Sequence, residues 1–86
     1  MAKHHVLVVD DEEDIRTLLE HHLTRDGYRV TCVATGEDAT RQARLTLPDL
    51  LLLDLMLPTM DGLEVCRALK GDPKTRPIPV IMLTAK

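Results

Sequence analysis

Aromatic side chains are nearly absent from this chain of 86 residues: Tyr28 is the only one, and there is no tryptophan or phenylalanine. This scarcity argues against stacking platforms for single-stranded nucleic acid. The formal net charge of −3 gives no basic surface for a nucleic-acid backbone. The apolar runs are far shorter than the roughly 20 residues that span a bilayer, and the N-terminus has no signal-peptide pattern, so we expect a cytoplasmic protein with no membrane partner.

Cysteine and histidine give no metal pattern. The two cysteines, Cys32 and Cys66, lack the close spacing of metal ligands, and we expect both to be small buried side chains kept as free thiols. Histidines occur in adjacent pairs at positions 4–5 and 21–22. Because adjacent residues of a helix do not share a face, we expect solvated histidines rather than metal ligands.

Residues 1–86 are enough for one small domain. Short apolar runs predict four strands, at His5–Val9, Arg29–Val33, Leu50–Leu53 and Ile78–Leu83. Between them, helices are predicted from Glu12 to about Arg25, from a cap at Thr35 to about Leu45, and from Asp61 to a stop at Gly71. Asp61 and Glu64 have the spacing of a capping box. The alternation predicts an α/β fold with a parallel sheet and right-handed crossovers.

Apolar spacing also predicts which side of each helix faces the sheet. In the second helix Ala39 and Ala43 are expected to face the sheet, which allows a close approach. In the third helix Leu63, Cys66 and Leu69 are expected to line the inner face. The inner face of the first helix is predicted to consist of four residues: Ile15, Leu18, Leu19 and Leu23.

Three aspartates stand at the ends of two of these apolar runs. Asp10 and Asp11 follow the first run, and Asp54 follows four consecutive leucines. In parallel sheets, ligands bind outside the carboxyl ends of the strands. Two carboxylates about 4 Å apart repel by roughly 4 kcal/mol at an effective dielectric constant near 20, and a hard divalent cation removes that repulsion. An open site with oxygen ligands suits Mg²⁺ together with a phosphate group.

A carboxylate in such a site can act as a nucleophile toward phosphorus while a hydroxyl group donates to the phosphoryl oxygens. Thr84, at the end of the fourth strand, is a candidate for that hydroxyl. A metal-dependent phosphohydrolase usually needs a second acid close after the nucleophile. The residue two positions after Asp54 is Met56, which argues against that class.

Taken in order, these motifs resemble the receiver domain of two-component response regulators. They are Val8-Val9-Asp10-Asp11-Glu12, Leu51-Leu52-Leu53-Asp54, Pro58, Asp61-Gly62 and Leu83-Thr84-Ala85-Lys86. The resemblance covers the whole chain and implies a flavodoxin-like doubly wound parallel sheet. For this chain the expected sheet is incomplete, with four strands in the order 2-1-3-4 and three helices.

The resemblance implies a part in a phosphorelay rather than an enzyme. Asp54 would accept a phosphoryl group from a sensor histidine kinase or a phosphotransfer protein. Thr84 would hydrogen-bond the phosphoryl group and act as the switch, and the backbone amide of Ala85 would point the same way. Pro58 and Gly62 would shape the loop beside the site.

The cofactor implied by the resemblance is Mg²⁺. Its ligands would be Asp10, Asp11 and Asp54, completed by the backbone carbonyl of Met56. Asp11 would bind the ion directly, and Asp10 directly or through a water molecule.

The chain departs from the family pattern at its C-terminus. The family continues with a fourth helix, a fifth strand that ends in a lysine, and a fifth helix, so residues 1–86 are expected to be the N-terminal portion of a receiver domain. Lys86 is not expected to replace that lysine. An alternative is therefore a module that binds metal or assembles without accepting phosphate. We expect a homodimer or higher oligomer joined through the exposed fourth strand or by segment exchange. The sheet face of the first and third strands beside the first helix is expected to be partly uncovered.

Overall fold

A computed structural model describes residues 3–83 of the chain, and it contains four strands and three helices. The strands are β1 (His5–Val9), β2 (Arg29–Val33), β3 (Leu50–Asp54) and β4 (Val80–Leu83). The helices are α1 (Glu13–Arg25), α2 (Gly36–Thr46) and α3 (Gly62–Lys70). Within residues 3–83, none of these helices combines the length and the apolar character that crossing a bilayer requires.

The four strands form one parallel sheet in the order β2-β1-β3-β4. Val9 of β1 pairs with Val33 of β2 on one side and with Leu53 of β3 on the other. Asp54, the last residue of β3, pairs with Leu83 of β4. The predicted fold class and strand order are therefore confirmed, and the carboxyl ends of all four strands lie at the same edge of the sheet.

The helices begin close to the predicted positions. The Thr35 side chain accepts a hydrogen bond from the Asp38 amide at 3.1 Å, which caps α2 as predicted. Asp61 caps α3 in the same way by accepting from the Glu64 amide at 3.0 Å. Within residues 3–83, the reciprocal hydrogen bond of a full capping box is not formed. Each of these caps satisfies an amide that the first helical turn leaves without a partner.

One face of the sheet packs tightly against α2 and α3. Ala39 and Ala43 of α2 are fully buried there, as predicted. The approach of α2 to the neighbouring loop is so close that a Cβ atom at Gly36 would lie 2.7 Å from the Met60 carbonyl oxygen. Small residues therefore set the position of α2 over the sheet.

The inner face of α3 differs from the prediction. Val65 and Leu69, four residues apart, are buried, whereas Leu63 is 52% exposed. Cys66 and Cys32 are free thiols, as predicted, but both are only half-buried. Gly62 packs against the backbone at the end of β3, and Val65 and Leu69 follow it at spacings of three and four residues, so these three residues share the face that meets the core.

The face covered by α1 is packed more loosely. None of the residues of α1 is fully buried, and Leu18, predicted to lie on the inner face, is 52% exposed. Val6 and Val8 of β1 are nevertheless buried. The expectation that this face is partly uncovered therefore does not hold for β1. An exposed apolar residue on this face is Ile81 of β4, which is 51% exposed.

Strand β4 begins two residues later than predicted. The preceding segment folds into turns in which the amides of Thr75 and Arg76 both donate to the Asp72 carbonyl oxygen, and the Ile78 amide donates to Thr75. Ile78 is buried in the core from this turn rather than from a strand. Sheet pairing starts where the Leu51 amide donates to the Pro79 carbonyl oxygen at 3.0 Å.

His5 is buried, which corrects the expectation of a solvated side chain. It is 4% exposed, its Nε2 atom lies 2.8 Å from the Thr31 hydroxyl oxygen, and Nδ1 has no hydrogen-bond partner among residues 3–83. Burial lowers the pKa of His5 and Arg29 lowers it further, while Asp49 opposes both. Protonation would leave the buried Nδ1–H group with no acceptor among the described residues, 3–83.

We predict that the free energy of unfolding falls as the pH drops below about 6.5, because there the unfolded chain protonates His5 and the folded chain does not. One proton sets a limit of about 1.4 kcal/mol per pH unit. Urea unfolding at about pH 7.5 and about pH 5.5 measures this slope. His5→Gln should flatten it, and His21→Gln, at an exposed position, should leave it unchanged. Equal slopes in wild type and His5→Gln would refute the assignment.

Candidate functional site

Two fully buried carboxylates lie side by side at the carboxyl edge of the sheet. Asp10 directly follows β1, Asp54 ends β3, and both are 0% exposed. The preceding pair in the register is Val9 with Leu53, so Asp10 stands opposite Asp54 on the next strand. Neighbouring strands lie about 4.8 Å apart, which brings these two acids close together.

Local hydrogen bonds orient the Asp10 carboxylate. The Asp10 amide donates to the Val33 carbonyl oxygen of β2 at 3.2 Å, which extends the ladder one residue beyond β1. The Oδ1 atom of Asp10 accepts a hydrogen bond from the Glu12 amide at 2.9 Å. This side-chain turn holds the first residues after the strand in place just before α1 begins.

The Asp54 carboxylate is oriented in the same manner. Its Oδ1 atom accepts a hydrogen bond from the Met56 amide at 3.0 Å. The Leu55 amide donates to the Leu83 carbonyl oxygen at 3.4 Å, so the chain stays beside β4 as it leaves β3. The Met56 side chain is 65% exposed, and the contribution of this residue to the site comes from its backbone.

A group of three acids lies at the mouth of the site. Carboxylate oxygens of Asp10, Asp11 and Glu12 all lie within 4.8 Å of one another, with Asp10 buried and the other two exposed. Among residues 3–83, Asp54 is not part of that group. Glu12 was missing from the predicted ligands, although the unbroken run of acids from Asp10 in the sequence marks it.

The donor set of this group suits Mg²⁺. Its oxygens are hard ligands, and two of the three side chains reach solvent, so a bound ion would keep several of its water molecules. The predicted ligands Asp10 and Asp11 therefore lie together, with Asp54 on the adjacent strand. The site can hold a divalent cation between a buried carboxylate and the solvent.

Gly62 allows the loop to close beside Asp54. A Cβ atom at this position would lie 2.8 Å from the Asp54 carbonyl oxygen and 2.9 Å from the Leu55 Cα atom, both backbone atoms that cannot move aside easily. The Gly62 amide donates to the Leu55 carbonyl oxygen at 3.0 Å. The absence of a side chain at Gly62 thus brings the start of α3 against the residue that carries the buried acid.

Three of the residues singled out in the sequence lie outside the part of the chain that the structure describes. They are Thr84 and Ala85, predicted to contact a phosphoryl group, and Lys86. Their roles stay predictions.

The fold and this acidic site agree with a known family. The sequence model of the response regulator receiver domain family matches residues 6–86 of the chain. The chain therefore belongs to the receiver domain family of two-component signalling, as the sequence motifs indicated.

Relatives of known identity are longer proteins. The chain is 49% identical over 81 residues to the alkaline phosphatase synthesis transcriptional regulatory protein PhoP of Bacillus subtilis, which covers 94% of this chain and 33% of that protein. It is 51% identical over 80 residues to the response regulator PleD of Caulobacter vibrioides, covering 93% of this chain and 18% of PleD. The chain thus spans about a third or less of these two relatives.

Solved structures give the same fold. The N-terminal domain of a response regulator receiver protein from Methanoculleus marisnigri JR1 matches with a TM-score of 0.94 and 45% identity, over 99% of this chain and 69% of that one. The receiver domain of the sensor histidine kinase PA1611 from Pseudomonas aeruginosa PAO1 matches with a TM-score of 0.93 and 38% identity, over 99% of this chain and 70% of that one. That structure has a magnesium ion coordinated in its active-site cleft.

Proposed function

We propose that this chain is the N-terminal portion of a receiver domain and accepts a phosphoryl group on Asp54. The observation that carries the proposal is the buried Asp54 carboxylate at the end of β3, opposite the buried Asp10 and beside a group of acids suited to Mg²⁺. Burying a carboxylate costs free energy, and a cation or phosphoryl group bound at this edge of the sheet would offset that cost. The donor would be a phosphohistidine on a sensor histidine kinase or a phosphotransfer protein.

In the proposed reaction an Asp54 carboxylate oxygen attacks phosphorus, the P–N bond of the phosphohistidine breaks, and a P–O bond to Asp54 forms. The histidine leaves with the electron pair of the broken bond. The Met56 amide orients the Asp54 carboxylate for this attack by donating a hydrogen bond to its Oδ1 atom at 3.0 Å. The protein thereby acts as an acceptor that carries a signal rather than as an enzyme that turns over a separate substrate.

Asp10, Asp11 and Asp54 would hold the Mg²⁺ ion, together with the backbone carbonyl of Met56 and the exposed Glu12 at the mouth of the site. The bound ion supplies positive charge that balances the phosphoryl oxygens and the acids. Following the family motif, we propose that Thr84 and the Ala85 amide bind the phosphoryl group from the end of β4. The net charge of −3 does not favour nucleic-acid binding by this segment.

We predict that acetyl phosphate and Mg²⁺ add one phosphoryl group to the chain, and intact-mass spectrometry measures the adduct. Asp54→Asn should remove it, because an amide is a far weaker nucleophile than a carboxylate. Asp61→Asn is the matched control and should keep the adduct, since Asp61 is exposed and an asparagine still caps α3.

The contrary result would be a wild-type chain that is folded and binds Mg²⁺ yet gains no phosphoryl group, or an adduct that persists in Asp54→Asn. The first of these outcomes would favour the alternative of a module that binds metal or assembles without accepting phosphate.

We propose further that the chain of 86 residues self-associates through β4. Within residues 3–83, β4 is paired on one side only, with β3, so its other edge presents backbone donors and acceptors. Ile81 is 51% exposed on this strand. An exposed apolar edge strand is a template for pairing with a second chain, and a twofold axis would pair the two copies of β4 antiparallel.

Light scattering at micromolar concentration should therefore give the mass of a dimer or a larger oligomer. Ile81→Lys should shift the population toward the monomer, because a lysine on an edge strand opposes strand pairing. Leu45→Lys adds the same charge at a residue of α2 that is 71% exposed, and it should leave the mass unchanged. A folded wild-type monomer, or an equal response of the two variants, would count against the β4 interface.

A further inference from the structure

Arg16 of α1 reaches back to the end of β1. This half-buried side chain donates a hydrogen bond from Nη1 to the backbone carbonyl oxygen of Asp10 at 2.9 Å, across six residues of chain. A guanidinium donor makes a hydrogen bond stronger than that of a neutral group. Neither the metal ligands nor the phosphoryl contacts proposed above include Arg16.

Together with two other hydrogen bonds, the one from Arg16 holds the backbone and side chain of Asp10 in place. The Asp10 amide is held by the Val33 carbonyl oxygen of β2 at 3.2 Å, and its Oδ1 atom by the Glu12 amide at 2.9 Å. Arg16 holds the remaining backbone group, the carbonyl that leads directly into Asp11. Both peptide groups of Asp10 are therefore tied to neighbouring elements, one to β2 and the other to α1.

Arg16 is itself anchored. Its amide donates to the Glu12 carbonyl oxygen at 3.1 Å in the first turn of the helix, and the Cys32 thiol donates to the Arg16 carbonyl oxygen at 3.8 Å. The thiol contact is a weak one, and it joins α1 to β2 at the level of Arg16. The guanidinium thus extends from a fixed point on the helix to the turn that carries the acids.

We propose that Arg16 is a positioning residue for the cation site, an inference that rests on the proposed Mg²⁺-dependent function. By holding the Asp10 carbonyl, Arg16 fixes the peptide that sets the direction of Asp11, and so keeps the oxygens of Asp10 and Asp11 close enough to share one ion. Metal ions bind more tightly when groups outside the ligand set hold the ligands in place, because less order has to be imposed on binding.

The positive charge of Arg16 would change the affinity for Mg²⁺ in the opposite direction. A guanidinium beside three acids repels a divalent cation, so an effect of charge alone predicts that removing Arg16 tightens Mg²⁺ binding. Positioning predicts that the same change weakens it. The direction of the change in affinity therefore separates the two effects.

Titration calorimetry with Mg²⁺ tests the proposal on the wild-type chain, Arg16→Ala, Arg16→Lys and Arg25→Ala. Arg16→Ala should raise the dissociation constant about tenfold, the lower end of what loss of a supporting group outside the ligand set costs. Arg16→Lys, which keeps a charged donor on a long side chain, should recover most of the affinity. Arg25→Ala removes the same charge from the last turn of α1 and should bind as wild type does.

A second readout separates positioning from general destabilisation. Circular dichroism first establishes that each variant is folded. The rate of phosphorylation by acetyl phosphate should then be reduced for Arg16→Ala at low Mg²⁺ and return close to the wild-type rate at saturating Mg²⁺. Should Arg16→Ala not fold, Arg16→Gln replaces it, because glutamine is too short to reach the carbonyl but favours the helix.

Wild-type affinity or tighter binding in Arg16→Ala, or in Arg16→Gln where that variant replaces it, would overturn the proposal. Weakened binding that Arg25→Ala shares would also overturn it. If the wild-type chain bound no Mg²⁺, the metal-dependent function and this inference would both fail. If the wild-type chain bound Mg²⁺ and Arg16→Ala bound it equally well, only the inference would.

Discussion

The parallel pairing of β1 with β3 is the contact on which the rest of this molecule depends. Its register sets Val9 beside Leu53 and therefore Asp10 opposite Asp54, with both carboxylates fully buried. Two charges about 4 Å apart repel by roughly 4 kcal/mol at an effective dielectric constant near 20, a large fraction of the 5–15 kcal/mol typical of domain stability. Burial of apolar strands thus positions acids that would not otherwise approach one another, and a cation bound at this edge would offset their repulsion.

The two faces of the sheet differ in how tightly they are packed. On one face, small residues of α2 and the glycine that begins α3 bring both helices close, and Gly62 lies against the backbone of Asp54. On the other face, α1 packs more loosely and leaves Ile81 of β4 half exposed. The tightly packed side supports β3, which ends at Asp54, while α1 contributes Arg16 to the turn that carries the acids.

The carboxyl ends of the strands and the caps at Thr35 and Asp61 could be predicted from the residues themselves, because each depends on neighbouring residues. The strand order was predicted through the resemblance to the receiver family. The buried side of α3 could not be predicted, since apolar spacing allows both Leu63 and Val65 to face inward and only the close approach at Gly62 decides between them. The burial of His5 depends on its distant partner, Thr31. The placement of Asp10, Asp11 and Asp54 at one edge of the sheet could be predicted from the strand ends. The contact of Arg16 with Asp10 could not, because it depends on how α1 folds back over the end of β1.

The dependence of folding stability on Mg²⁺ tests most directly whether the group of Asp10, Asp11 and Glu12 is a cation site. A ligand that binds only the folded chain raises its free energy of unfolding. Once the ligand concentration exceeds the dissociation constant, this gain grows with the logarithm of the concentration. We expect Mg²⁺ to stabilise the wild-type chain against urea more than sodium chloride of equal ionic strength does, and we expect Asp11→Asn to remove this difference. Equal effects of the two salts on the wild-type chain, or an unchanged Mg²⁺ response in Asp11→Asn, would contradict the assignment of a cation site.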